Sequence, residues 1–192
     1  MTADELLEIL RQAARLKVNT RHCYTAADRK ESVADHSWRV SLMAMLLTGT
    51  EGFEELDTDR VIRMCLIHDL GESFTGDIPA FLKTGQNTSD EDAVFDRWVD
   101  GFPEPQRSEW RALLREMNAQ QTPEARVYKA LDKLEAIIAH NESDLATWLP
   151  LEYDLQYNYG REQCAPFPFL REVHDAIDAW TTEKIETEGK GS

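Results

Sequence analysis

The ten residues His68-Asp69-Leu-Gly-Glu72-Ser-Phe-Thr-Gly-Asp77 gather an imidazole and three carboxylates into one short stretch. Upstream, Val61, Met64 and Cys65 recur at helical spacing. The same spacing continues to His68 and Glu72, so an apolar stripe ends in ionisable groups. A core face that turns ionisable borders a pocket. His68 and Asp69, about a third of a helical turn apart, can both reach one ion, and Glu72 returns to their side a turn later. Gly71 and Gly76 loosen the helix end, and Pro79 disfavours helical geometry at Ile78. Asp77 is therefore expected in a turn facing back toward the cluster.

The elements that must position these groups read as helices. Leu6, Leu7, Ile9, Leu10 and Ala13 predict an amphipathic helix over 3–16, followed by a loop over 16–25 of mixed polarity that approaches the core. Ser32-Val-Ala-Asp35 has capping-box spacing and opens a helix to about residue 48, with Val33, His36, Val40, Met43 and Leu47 on its inner face. A histidine on such a face is either a hydrogen-bonded core residue or a ligand, so His36 depends on what faces it. The segment 58–72 is apolar on nearly every side and reads as a central buried helix. The polar stretch 83–92 predicts a mobile surface loop, with helices following over 91–100 and 106–118 on either side of the breaker Gly101-Phe-Pro-Glu-Pro105.

Thr122-Pro123 is an N-cap and first-turn pair for a helix through about His140, with Val127, Leu131, Leu134 and Ile138 inward. Asp132 lies beside that stripe, as a ligand or as an ion-pair partner of Lys129 or Lys133. The aromatic-rich stretch 148–159 is assigned to the core or to a dimer surface. Residues 168–181 form a last helix, and 183–192 a disordered tail. With no repeat and no convincing strand, the chain is predicted to be all-α, a single-domain helical bundle over residues 1–182.

Composition narrows the function. A formal charge of −15, from 21 basic and 36 acidic residues, is unbroken by any basic run. That argues against a nucleic-acid or anionic-membrane surface. An anionic substrate would have to be drawn in by a bound cation or a local arginine. Three widely spaced cysteines without a Cys-x-x-Cys pair argue against a disulfide framework. The longest apolar run, 42–47, falls far short of the roughly twenty residues of a membrane span. A reducing, cytoplasmic setting without membrane association is expected.

His36, His68, Asp69 and Asp132 together supply two imidazoles and two carboxylates from three helices, a set suited to one divalent transition-metal ion: Mn, Co, Fe, Ni or Zn. Such an ion activates water and screens developing charge, which phosphate-ester hydrolysis requires. Glu72 is placed to orient or deprotonate the attacking water, and Asp77 to protonate the leaving oxygen or contact a sugar, with the two roles exchangeable.

In this order His36, His68-Asp69 and Asp132 resemble the H...HD...D signature of the HD-domain phosphohydrolases. The 5'-deoxynucleotidase branch is resembled in Leu16-Lys17 with Arg21, in Glu31-Ser-Val-Ala-Asp-His36, in His68-Asp69-x-x-Glu72-x-x-x-Gly76-Asp77-Ile78 and in Leu131-Asp132-Lys-Leu-Glu135. The resemblance implies a helical, metal-dependent phosphatase acting on deoxyribonucleoside 5'-monophosphates, typically a homodimer. It implies His36, His68, Asp69 and Asp132 as metal ligands, Glu72 and Asp77 as the catalytic pair, and Arg21 as a phosphate contact. His22 stands where a bacterial member has Trp, and is assigned with Arg21 to substrate binding. The alternatives are an HD hydrolase of another nucleotide phosphoester (a cyclic dinucleotide, an alarmone or a triphosphate) and a nucleotide sensor without turnover. Glu72 and Asp77 argue against the sensor, because neither is needed merely to hold an ion. His140 is assigned either to the helix dipole or to contact near the site.

Overall fold

A computed structural model of the chain describes residues 1–189. The helices run α1 Ala3–Ala13, α2 Val33–Leu46, α3 Thr58–Ile67, α4 Glu72–Thr75, α5 Gly85–Asp100, α6 Gln106–Ala119, α7 Pro123–Glu142, α8 Glu152–Asn158, α9 Arg161–Cys164 and α10 Pro168–Glu188. Capping residues fix several starts. Ser32 Oγ accepts from the Asp35 amide at 3.1 Å while Asp35 accepts from the Ser32 amide at 2.9 Å, the predicted capping box of α2. Thr122 caps α7 at 3.2 Å with Pro123 in its first turn.

Helix α7 lies at the centre, packed against α2, α3, α6, α9 and α10. It buries Val127, Leu131, Leu134 and Ile137 together with the polar Asp132, Glu135 and His140. The expected central helix is thus not 58–72. Helix α3 ends at Ile67 and leaves Leu66 exposed. Beyond it, the Leu70 amide bonds Ile67 O, Glu72 bonds Asp69 O and Ser73 bonds Leu70 O, each at 3.0–3.1 Å. These shorter i to i−3 bonds tighten the backbone through the turn that carries His68 and Asp69.

Three sequence expectations are corrected, and of the two places left open for the 148–159 stretch Trp148 takes the core. The stretch 16–25 contains a strand: β1 Thr20–Ala26 pairs antiparallel with β2 Arg29–Ser32, with irregular register between Thr20 and Ala26. Polarity there does not alternate, because the strand's central residues are all half-buried. The 83–92 stretch is largely helix: Thr84 and Asn87 form a reciprocal cap that starts α5 at Gly85. Trp148 is core, stacked on His140 at 4.2 Å between ring centroids and donating to His140 O. Helix α10 continues to Glu188, so residues 183–188 of the expected tail are helical, and residues 190–192 lie outside the described ones. The three cysteines are free. Among the described residues no helix is long and apolar enough to cross a membrane.

Candidate active site

Three elements bring the predicted ligands to one point. The first turn of α2 supplies His36, the tightened turn after α3 supplies His68 and Asp69, and the middle of α7 supplies Asp132. His36 Nε2 lies 3.2 Å from His68 Nε2, 3.6 Å from Asp69 Oδ2 and 3.3 Å from Asp132 Oδ1. His68 Nε2 lies 3.1 Å from Asp69 Oδ2 and 3.7 Å from Asp132 Oδ1. Ligands of one first-row ion, bound at about 2.0–2.2 Å, sit about 3.0–3.6 Å from one another, so the donor set fits such an ion.

Both imidazoles are oriented for ligation. His68 Nδ1–H donates to Cys65 O at 2.7 Å, and His36 Nδ1–H donates to the buried Glu135 carboxylate, leaving each Nε2 turned to the cluster. Asp132 makes the ion pair expected of it and keeps its other oxygen toward the candidate ligands. Oδ1 faces the histidines, while Oδ2 accepts from Lys129 Nζ at 2.9 Å. Burial opposes charge on His68, but Asp69 and Asp132 outweigh it and push the imidazole up to about 10. Burial likewise works against ionised Asp69, yet His68 and then His36 hold it well below the usual carboxylate range. The cluster is a strong electrostatic trap for positive charge.

Behind it lies a network centred on Glu31 and Glu135, two residues to which the sequence assigned no role. Glu135, fully buried, accepts from Arg21 Nη1 at 3.0 Å and from Arg39 Nε at 2.7 Å as well as from His36. Arg21 Nη1 also donates to Glu31 at 2.9 Å. Burial, then repulsion from Glu135, pushes Glu31 up to about 7. Arg21 is therefore a clamped residue, held between two buried carboxylates. The Leu131-Asp132-Lys-Leu-Glu135 spacing was the available signal for Glu135, which returns to the face of Asp132 one turn later.

Glu72 sits beside Asp69, each with a carboxylate oxygen within 4.8 Å of the other and of Glu91. Its backbone is held from outside α4, where Asn19 Nδ2 donates to Glu72 O at 2.6 Å and Gln12 Nε2 donates to Ser73 Oγ at 2.8 Å. Burial, then the charges of Asp69, Asp77 and Glu91, push the Glu72 carboxyl up to about 10 against the pull of Lys83, 3.7 Å away. Gly76, at φ +79°, ends α4 in a backbone conformation that a side chain would strain. Asp77 follows it. Burial and then Asp69 raise the Asp77 carboxyl, while Arg21 and Lys83 oppose them.

Arg21, His22 and Asp77 line one cleft with Phe81, His140 and Tyr159, whereas His68 and Asp69 line a second with Lys83, Glu91 and Lys129. Of the residues singled out from sequence, Arg21, His22 and Asp77 thus face one opening and His68 and Asp69 another, while His36, Glu72 and Asp132 are buried and line neither.

Known proteins extend these observations. Residues 13–167 match the family described as HD domain. The human 5'-deoxynucleotidase HDDC2 is 33% identical over 166 residues, covering 84% of this chain and 74% of that protein. The fission-yeast 5'-deoxynucleotidase hdd1 is 24% identical over 183 residues, covering 90% and 85%. A solved structure from Magnetospirillum magnetotacticum, described as "Predicted metal-dependent phosphohydrolase", superposes with a TM-score of 0.74 at 26% identity over 95% of both chains. An HD-domain phosphohydrolase from Listeria innocua, 16% identical, shares the fold with a TM-score of 0.71 over 96% of this chain and 91% of that one. The chain belongs to the HD-domain family.

Proposed function

We propose that this chain is a divalent-cation-dependent phosphohydrolase that releases phosphate from deoxyribonucleoside 5'-monophosphates. The observation that carries the reading is the convergence of His36, His68, Asp69 and Asp132 on one point with Glu72 beside it. The 5'-deoxynucleotidase relatives support the substrate class. Those four side chains would hold the ion, of the Mn, Co, Fe, Ni or Zn type. When bound, it supplies Lewis-acid charge at the phosphate and a lowered pKa for the attacking water.

The chain's own residues do the rest. Arg21, fixed by Glu31 and Glu135 through Nη1, keeps its other guanidinium N–H donors for a phosphate oxygen. Glu72, beside Asp69, orients the attacking water. Asp77, on the wall of the cleft that Arg21 and His22 share, serves the leaving oxygen or the sugar. That cleft, with Phe81 and Tyr159 on its walls, takes the nucleoside.

A second copy of the chain is assigned to α2. Trp38, Leu42 and Met45 recur along one side of that helix and are 64%, 39% and 63% exposed, an apolar stripe suited to a homodimer. That stripe supports α2 as the dimer surface, and in the 148–159 segment Trp148 is buried.

The test is phosphate release from ribo- and deoxyribonucleoside 5'-monophosphates by metal-stripped protein resupplied with each divalent ion. Turnover of deoxy over ribo forms, dependent on the ion, is expected. Silence across the panel with the ion bound would overturn the substrate assignment and favour another phosphoester or a sensor.

A further inference from the structure

Two imidazoles and a carboxylate that the hydrolytic chemistry does not use meet on the wall of the Arg21 cleft. His22 comes from β1, His140 from the last turn of α7 and Glu152 from the start of α8. His22 Nε2 lies 3.2 Å from Glu152 Oε1, and His140 Nε2 lies 3.4 Å from Glu152 Oε2. One ligand atom from each residue falls within 4.8 Å of the other two.

The site is built from behind. His140 Nδ1–H donates to Gln156 Oε1 at 3.1 Å, and Gln156 Nε2 donates to Ile137 O at 2.6 Å, which fixes the tautomer and leaves the Nε2 lone pair free. The ring plane is set by stacking on Trp148. Glu152 Oε2 accepts from the Leu149 amide at 2.6 Å, which anchors the carboxylate. Despite all this, His140 Nε2, 8% exposed as a residue, finds no hydrogen-bond partner among the described residues. A buried imidazole with one nitrogen pinned and the other bare, aimed at a carboxylate and a second imidazole, is the arrangement of a metal ligand.

We infer that His22, His140 and Glu152 form a second transition-metal site, separate from the HD cluster, that binds Zn²⁺ with its remaining position open to the cleft. Tetrahedral ligands at about 2.0–2.1 Å are about 3.3 Å apart, and each imidazole lies near that distance from one of the two Glu152 oxygens. Two neutral imidazoles and one carboxylate suit this ion better than Mg²⁺ or Ca²⁺, which require oxygen ligands. Arg21, which lines the same cleft, is paired with Glu31 and Glu135, so its charge is offset locally. On the reading that this cleft takes the nucleoside, zinc seated on its wall blocks the substrate's organic end.

The test counts ions and does not use activity. Metal-stripped protein is dialysed against buffered free zinc, and the bound zinc is measured by mass spectrometry. Wild type is expected to hold two ions per chain, and His140→Gln and Glu152→Gln one each, the ion they retain in the HD cluster reporting that the variant is folded. His68→Gln with Asp132→Asn is expected to keep the second ion. If the HD cluster alone failed to bind, wild type would hold one ion and His140→Gln none, so the two assignments separate. The inference is overturned if His140→Gln and Glu152→Gln bind as much zinc as wild type.

Discussion

Removing Glu135 tests whether the buried network behind His36 positions the metal ligand or merely fills space. Three donor side chains converge on this fully buried carboxylate: His36 Nδ1, Arg21 Nη1 at 3.0 Å and Arg39, whose Nε and Nη2 both lie 2.7 Å away. Glu135→Gln keeps the volume but offers one acceptor oxygen and turns an NH2 toward the remaining donors. The orientation of His36 and the basicity of its Nε2 both suffer. Metal affinity is expected to fall about 10–100-fold, or about 1.4–2.7 kcal/mol. Glu135→Ala additionally strands two guanidiniums, at a cost of about 3–5 kcal/mol. Glu31 limits that cost. Its carboxyl is held up by burial and by Glu135 itself, so without Glu135 it ionises more readily and takes over part of the pairing to Arg21 and Arg39. The low end, about 3 kcal/mol, is therefore expected, and at about 2–4 °C per kcal/mol the melting temperature drops by about 6–12 °C. Calorimetric titration of stripped protein with Mn²⁺ measures the first effect and thermal unfolding the second. Wild-type Mn²⁺ affinity in Glu135→Gln would refute the reasoning.

His68→Ala or Asp69→Ala should lose at least about a hundredfold in turnover with the far-UV spectrum unchanged, and turnover near wild type in either variant would remove the HD cluster from the chemistry. Gly160→Ala should destabilise by about 2–4 kcal/mol, because the residue sits at φ +81° and a Cβ would lie 2.5 Å from Lys133 Cβ; urea unfolding measures this, and a loss below about 1 kcal/mol contradicts the close approach of α9 to α7. Trp38→Asp should shift the protein from dimer to monomer in sedimentation, and an unchanged dimer moves the interface off α2. Chelation should weaken equilibrium binding of a non-hydrolysable monophosphate analogue by at least about tenfold as well as stop turnover; analogue binding that survives metal removal would place phosphate recognition in the protein's own cations.

The four residues of the HD cluster were legible as candidate ligands because helical spacing carries them. His36 on the inner face of a capped helix, His68-Asp69 at the end of an apolar stripe and Asp132 beside another stripe all occupy the places expected of them. The hairpin was not legible. The central residues of β1 are all half-buried, so no period of two marks them, and that strand holds Arg21 and His22 at the cleft. The start of α5 was hidden for a local reason: Thr84 is capped reciprocally by Asn87 in place of the acidic or Gln residue that signals such a start. Glu135 illustrates a further gap. Its spacing from Asp132 is visible, but the donors it serves come from β1 and α2, far away in sequence and near only after folding.

The charge distribution explains why a cation is needed for binding as well as for chemistry. Cationic side chains do surround the cluster, yet each is paired: Arg21 with Glu31 and Glu135, Arg39 with Glu135 and Glu142, Lys83 with Glu91, and Lys129 with Asp132. Their fields largely cancel at a distance, and beyond a Debye length of about 8 Å an approaching phosphate meets a chain with a formal charge of −15. Within the cluster itself the charges largely offset one another: Asp69 and Asp132 hold His68 charged, while burial and its acidic neighbours push Glu72 toward its neutral form. On the proposed reading a divalent ion supplies the net positive charge that this balance lacks, and the clamped Arg21 guanidinium acts beside it on a substrate oxygen.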